Sequence, residues 1–166
     1  YSNRFEDFCP RFTSLDEGAQ RKAIASFATS IAAAESNMSS FAVYYEETLG
    51  YESSGLFSLS YVDKKNYNCD FSESEDKGLP DQDKTLFQTD RQVDCFLKIS
   101  RKLLTAPEKF SFLKSLSKKD KKAQSNPKYL TVAQKMSAYW SILRPGNAGV
   151  KRFQRMKEKT LPAECK

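Results

Sequence analysis

One segment of the chain constrains the fold most, because its helical periodicity ends in a glutamate. Counting back from Glu35 in helical steps gives apolar residues on the same face, at Ile31, Ala28, Phe27 and Ile24. The side chain of Glu35 should therefore turn toward the core. Since desolvation disfavours the charged form of a carboxyl, we expect its pKa to rise to roughly 6 or above. A carboxylic acid that stays protonated near neutral pH can donate its proton to a leaving group.

Position alone leaves a simpler alternative, a helix-terminal glutamate that bends back to solvent or pairs with a lysine. Two further segments favour the buried acid. Residues 54–60 read Ser-Gly-Leu-Phe-Ser-Leu-Ser, and Tyr139 lies in a late Ala-Tyr-Trp run that precedes Pro-Gly-Asn at 145–147. With Glu35 between Ala34 and Ser36, these pieces resemble in order and spacing the lysozyme and lytic transglycosylase superfamily.

The resemblance implies a single domain, residues 1–166, with the lysozyme-like fold, which is α+β but mainly α and has a small β-lobe. It implies a hydrolase of the β-1,4 glycan of peptidoglycan, or of a chitosan-like polymer, with Glu35 as general acid. In the superfamily a tyrosine directs its hydroxyl toward the acid and the reacting sugar, and Tyr139 matches it. The alternatives are a lytic transglycosylase, which forms 1,6-anhydro ends, and a non-catalytic cell-wall-binding relative.

Two positions depart from the superfamily pattern. Ser58 replaces a glutamine that contacts the acetamido group of the sugar, and Trp140 replaces the asparagine that follows the tyrosine. Substrate detail should therefore differ, and the chain is also similar to the deacetylation-specific lysozymes of predatory bacteria. The positions expected to contact substrate are Ser36, Glu52, Ser54, Gly55, Ser58, Ser60, Tyr61 and Asp63.

A glycosidase with two catalytic carboxylates needs a partner for Glu35. The candidates are Glu52, Asp63 and Asp70, and Glu52 is the first choice because it is closest in sequence to Gly55. Its alternative is a solvated hairpin carboxylate. A partner at about 5 Å predicts retention of configuration, and a gap of roughly 6.5 to 9.5 Å predicts inversion. Without a partner, Glu35 could act as acid and then base, with the substrate's own hydroxyl as nucleophile.

The four cysteines, at positions 9, 69, 95 and 165, lie in a chain that has no histidine and no C-x-x-C pair. This is a poor set for zinc, and we expect neither a metal nor a cofactor. Two disulfides in an oxidising compartment are favoured over four buried thiols in a cytosolic protein. Of the three possible connectivities we favour Cys69 with Cys95, which staples a polar loop to a helix, and Cys9 with Cys165, which ties the termini together.

The charge of the chain is unevenly distributed. Residues 1–95 carry a net −8 and residues 96–166 a net +14. The acidic part contains Glu35 and Gly55, which favours a glycan with free amines such as N-deacetylated peptidoglycan. The basic part could suit nucleic acid, but no nucleic-acid-binding motif accompanies it, and nucleic acid is not the expected partner. A basic face toward anionic cell-wall polymers explains the same residues.

The longest apolar runs are a few residues, so we expect no transmembrane segment. The polar and aromatic residues 1–5 have no leader character and indicate a mature form. Together with the disulfides, this predicts a secreted or periplasmic protein, expected to be a monomer.

Local patterns predict the secondary structure. Ser14 and Glu17 form a capping box at the start of the first helix, and alternation over residues 57–62 predicts a short strand. Residues 70–89 lack apolar periodicity and predict an exposed loop. The helix from Asn126 is expected to continue through Leu143. One further helix is predicted to begin at Asp90 and another at Pro107. A last helix is predicted to pass through Val150, Phe153 and Met156.

Overall fold

A computed structural model of the protein describes residues 5–47, 49–105, 132–144 and 146–166. Within these ranges the helices are α1 (Glu17–Ser36), α2 (Val62–Tyr67), α3 (Glu73–Asp76), α4 (Thr89–Thr105), α5 (Val132–Met136) and α6 (Gly149–Thr160). The strands β1 (Val43–Glu46) and β2 (Tyr51–Ser54) form an antiparallel two-stranded sheet. The mainly helical chain with a small sheet agrees with the predicted α+β class. The helix predicted at Pro107 and the start of the one predicted at Asn126 lie outside the described residues.

The first helix, α1, forms the centre of the core. Its N-cap is Asp16, whose carboxylate accepts a hydrogen bond from the backbone N–H of Ala19 at 2.9 Å, so the capping box predicted from Ser14 was wrong. The helix ends where Asn37 adopts a left-handed backbone with φ of 53°. Along the predicted stripe, Ile31 is fully buried. The apolar periodicity therefore located the helix correctly, although not its first cap.

An aromatic cluster joins α1 to both ends of the described chain. The rings of Phe8 and Phe27 lie 5.1 Å apart and those of Phe27 and Phe153 lie 5.7 Å apart, which packs α6 against α1. The disulfide of Cys9 with Cys165 fixes the same arrangement covalently.

The second disulfide joins Cys69 to Cys95 in α4. Both bridges have the predicted connectivity, and disulfides of this kind persist in oxidising compartments. No helix among the described residues is long and apolar enough to cross a bilayer.

The strand predicted over residues 57–62 was wrong. The strands lie earlier, in β1 and β2, and the chain then turns at Gly55 and Ser58, whose φ angles are 76° and 50°. Phe57 and Leu59 lie in or next to this turn and are buried, and α2 begins at Val62. Alternating burial here arises from a compact turn rather than from a pleated strand.

The segment of residues 70–89 is not the exposed loop that the sequence predicted. Asp76 is buried and accepts hydrogen bonds from Thr85, from the backbone N–H of Leu86 and from the hydroxyl of Tyr61. Phe71 and Leu86 are part of the core. A single buried carboxylate thus organises a segment whose other carboxylates are exposed, and apolar periodicity does not detect such an arrangement.

The helix predicted to continue through Leu143 ends at Met136. Trp140 instead has an extended backbone at the start of a 3-10 turn, Ser141–Leu143. Its indole N–H donates to the carbonyl of Phe57 at 2.9 Å, and its ring lies 5.1 Å from that of Phe96. This break places Tyr139 and Trp140 beside the turn that follows β2.

Candidate functional site

A cavity of about 510 Å³, here called the Glu35 cavity, opens between the end of α1, the sheet, α2 and the segment around Tyr139. Its volume is within the range of ligand sites, and polar and aromatic side chains form its wall. The lining residues are Glu35, Glu46, Leu49, Tyr51, Ser53, Ser58, Ser60, Asp63, Asn66, Tyr67, Ala138, Tyr139, Trp140, Ser141 and Arg144.

Glu35 lies in this cavity as the last acidic residue of α1 and is half-buried. Its pKa is raised to about 7, chiefly by burial and to a smaller extent by the negative charge of Glu46. The hydroxyl of Ser58 opposes the shift, because it donates a hydrogen bond to Oε2 of Glu35 at 2.9 Å. The carboxyl is therefore substantially protonated near neutral pH and can serve as a proton donor.

The turn that carries Ser58 is held by a buried amide. Gln92 of α4 accepts a hydrogen bond from the backbone N–H of Leu56 and donates to the carbonyls of Ser40 and Leu86. A Cβ at Gly55 would approach the amide to 2.5 Å, so the turn needs glycine there. Gln92 thereby fixes the Ser58 hydroxyl on Glu35.

The end of α1 is tied to the same turn by Ser36. Its hydroxyl donates to the carbonyls of Ala32 and Leu56, at 2.9 and 3.1 Å. These contacts place the helix terminus against the turn and so set the position of Glu35. Ser36 therefore has a structural role in the described chain.

Asp63 is the second carboxylate of the cavity. Its Oδ2 accepts hydrogen bonds from the hydroxyl of Tyr139 at 2.6 Å and from the backbone N–H of Ser60 at 2.8 Å. Burial raises the pKa of Asp63, and these hydrogen bonds act in the opposite direction. Burial beside this carboxylate raises the pKa of Tyr139 well above its usual value, so the phenol stays protonated. The resemblance directed the hydroxyl of Tyr139 toward Glu35, but in the structure this hydroxyl donates to Asp63.

The sheet supplies a wall that sequence reasoning missed. Glu46 and Tyr51 are paired across β1 and β2, and both line the cavity with Ser53. Tyr67 also lines the cavity, and its ring meets that of Tyr139 edge to face at 5.6 Å. Only the register of the hairpin places Glu46 near Glu35, and no local motif marks it.

The remaining predicted site residues divide into two groups. Ser58, Ser60 and Asp63 line the Glu35 cavity together with Glu35 and Tyr139. The others lie outside its lining, and they are Ser36, Glu52, Ser54, Gly55 and Tyr61.

Glu52, the first choice for a second carboxylate, is exposed on the sheet face opposite to Tyr51 and Ser53. Glu52 projects from that face because side chains alternate between the two faces of a strand. Asp70 is exposed and forms an ion pair with Arg91 at 2.8 Å. Tyr61 donates its hydroxyl to Asp76 at 2.8 Å. Glu52 therefore lies outside the cavity lining, and Asp63 and Glu46 are the carboxylates that share the cavity with Glu35.

Comparison with protein-family models, curated proteins and solved structures finds no match to this chain. Within the described residues, no group of three or more histidine, cysteine, aspartate or glutamate side chains is arranged to hold a metal ion.

Proposed function

We propose that this protein is a glycoside hydrolase that cleaves the β-1,4 glycan of peptidoglycan, with a lysozyme-like fold and Glu35 as general acid. One observation carries the proposal. Glu35 has a pKa of about 7 at the wall of an open cavity that contains further carboxylates and aromatic rings. Glycosidases use such a pair, an acid with a raised pKa and a second carboxylate beside it.

In this mechanism the protonated Glu35 donates its proton to the oxygen of the glycosidic bond as that bond breaks. Positive charge then develops on the sugar ring and favours a nearby anion. The hydroxyl of Ser58 stabilises the carboxylate that remains on Glu35, because its hydrogen bond strengthens when the acceptor is charged. The same carboxylate can then accept a proton from the attacking water.

Asp63 is the second carboxylate that we propose for this reaction. Its hydrogen bonds from Tyr139 and Ser60 stabilise its charged form and fix its orientation. Tyr139 therefore acts on the reaction through Asp63. Burial is the main cause of the raised pKa of Glu35, and Glu46 adds to it through its negative charge on the same wall.

The products of cell-wall digestion test this function. We expect digested peptidoglycan to release fragments with reducing ends, because water attacks the glycosyl carbon. Mass spectrometry of the fragments reads the result directly. Fragments with 1,6-anhydro ends would identify a lytic transglycosylase instead. The absence of fragments from a folded, disulfide-bonded sample would contradict an enzymatic function and leave a cell-wall-binding protein.

The substrate that we propose carries free amines, as in N-deacetylated peptidoglycan. Glu46 and Asp63 line the cavity together with Glu35, and the resemblance matches Ser58 to the acetamido-contacting glutamine of the superfamily. An ammonium group gains a charge-assisted hydrogen bond to these carboxylates that an acetamide cannot form. We expect deacetylated wall to be cleaved about fivefold faster, which corresponds to about 1 kcal/mol.

The control for this preference compares matched walls, with and without prior enzymatic deacetylation, at two ionic strengths. An electrostatic preference should weaken as salt rises, since salt screens exposed charges. Equal or faster cleavage of the fully acetylated wall would exclude the preference. A preference that is independent of salt would exclude its electrostatic origin.

A further inference from the structure

The sheet beside the Glu35 cavity carries two adjacent tyrosines with different surroundings. Tyr44 and Tyr45 are both in β1, with 49% and 64% of their surface exposed. Each ring is a large side chain that the fold leaves at the surface. The sheet register shows that the two rings face in opposite directions.

The register is fixed by the pairing of β1 with β2. Tyr44 pairs with Ser53, and Glu46 pairs with Tyr51. Paired residues of an antiparallel sheet project from the same face, and side chains alternate along each strand. Since Glu46, Tyr51 and Ser53 line the Glu35 cavity, Tyr44 projects from the cavity face as well.

Tyr45 belongs to the other face. It pairs with Glu52, which is exposed and outside the cavity lining. The chain therefore contains two neighbouring tyrosines of similar exposure, one on the cavity face and one away from it.

We propose that Tyr44 is a sugar-stacking platform that extends the Glu35 cavity along the hairpin by at least one saccharide unit. Tyr44 precedes Glu46 by two positions in β1, a distance of about 7 Å along the strand. A tyrosine ring offers an apolar face with a polar edge. A pyranose ring has the matching chemistry, because its C–H groups lie on its faces and its hydroxyls lie around its rim. The platform therefore binds the part of the glycan that continues out of the cavity.

This inference rests on the proposed function, because its ligand is the glycan that Glu35 would cleave. Three side chains on the cavity face of the hairpin form this surface. Tyr51 and Ser53 line the cavity and form the inner part, and Tyr44, which is paired with Ser53 but lies outside the lining, forms the outer part. A short oligosaccharide fills the inner part alone, whereas a long one also covers Tyr44. The contribution of Tyr44 must then grow with the length of the substrate.

The test compares Tyr44→Ala with Tyr45→Ala on β-1,4-linked oligosaccharides, a tetrasaccharide and an octasaccharide. For Tyr44→Ala we expect the ratio of kcat/KM between the long and the short substrate to fall about tenfold, the effect of about 1.4 kcal/mol of lost contact. Tyr45→Ala should keep the wild-type ratio. Tyr44→Phe should also keep it, because the stacking face remains.

A binding measurement separates failure of the platform from failure of the proposed function. In a Glu35→Gln background, calorimetry with the octasaccharide should give a Kd about tenfold weaker when Tyr44 is alanine. A wild-type protein that neither cleaves nor binds the oligosaccharides would overturn the proposed function. Wild-type cleavage with equal length dependence in the Tyr44→Ala and Tyr45→Ala variants would overturn the platform alone.

Discussion

Glu35→Gln is expected to keep the fold and to lower kcat about a hundredfold or more, because the amide conserves the volume of the side chain but has no acidic proton. The hydroxyl of Ser58 can donate to the amide oxygen as it does to the carboxyl, so the hydrogen bond at 2.9 Å has a replacement partner. Release of soluble fragments from deacetylated peptidoglycan measures the loss. A folded Glu35→Gln protein with undiminished activity would end the assignment of Glu35 as the acid.

The pH profile gives a second readout of the same variant. Because the acid must be protonated, wild-type kcat should fall as the pH rises through about 7, the pKa of Glu35. The raised pKa also predicts a stability effect. Protonated Glu35 stabilises the fold fully below pH 4.5, the pKa of this carboxyl in the unfolded chain. That stabilisation is lost as the pH rises through about 7, its pKa in the folded protein.

Glutamine is neutral at every pH and does not lose this support. Glu35→Gln should therefore melt at a higher temperature than the wild type at about pH 8, and the two should converge at about pH 4. Thermal melts at the two pH values distinguish a folded, inactive variant from an unfolded one. A variant that melts lower than the wild type at both values would show that Glu35 has a structural role instead.

Glu52→Gln is the matched control for Glu35→Gln. It makes the same chemical change on the sheet face that points away from the cavity. We expect wild-type activity from it, whereas Asp63→Asn should lose activity because it removes the negative charge of the proposed second carboxylate. The reverse order would restore Glu52 as the second carboxylate. The pair thus tests directly which of the sequence candidates faces Glu35.

Local periodicity explains which parts of this site could be predicted from sequence. Glu35 was found because the 3.6-residue period of α1 places it on the face of the fully buried Ile31. The disulfides were predicted because a chain with no histidine and no C-x-x-C pair is a poor zinc site, and four cysteines allow only three connectivities. These features depend on short-range spacing or on a small count of possibilities, and both can be read from one chain.

The rest of the site depends on contacts between distant residues. Tyr139 and Asp63 are 76 residues apart in sequence and meet only because the chain breaks its helix before Trp140. Glu46 enters the cavity through the register of β1 with β2, and a shift of β2 by one residue would have placed Glu52 there in place of Tyr51 and Ser53. Nearness in sequence to Gly55 could not decide between the two faces of the sheet.

Removal of the disulfide of Cys9 with Cys165 is expected to have the largest effect on stability. The bridge joins residues 156 positions apart, and the chain-entropy model assigns such a loop about 5 kcal/mol. The bridge of Cys69 with Cys95 closes only 26 positions and should contribute about 3.5 kcal/mol. Each value is a large part of the stability of a typical domain.

Urea unfolding of two paired variants, Cys9→Ala with Cys165→Ala and Cys69→Ala with Cys95→Ala, measures both contributions. The first pair should lose more free energy of unfolding than the second, because its loop is longer. Non-reducing peptide mapping of the wild type checks that both bridges are formed. Loss of the first bridge frees the segment that carries Phe8 from the residues that follow α6, but the ring of Phe8 still meets that of Phe153 within α6 at 6.1 Å. Equal stability of the first pair and the wild type would show that this aromatic contact holds the ends without the bridge.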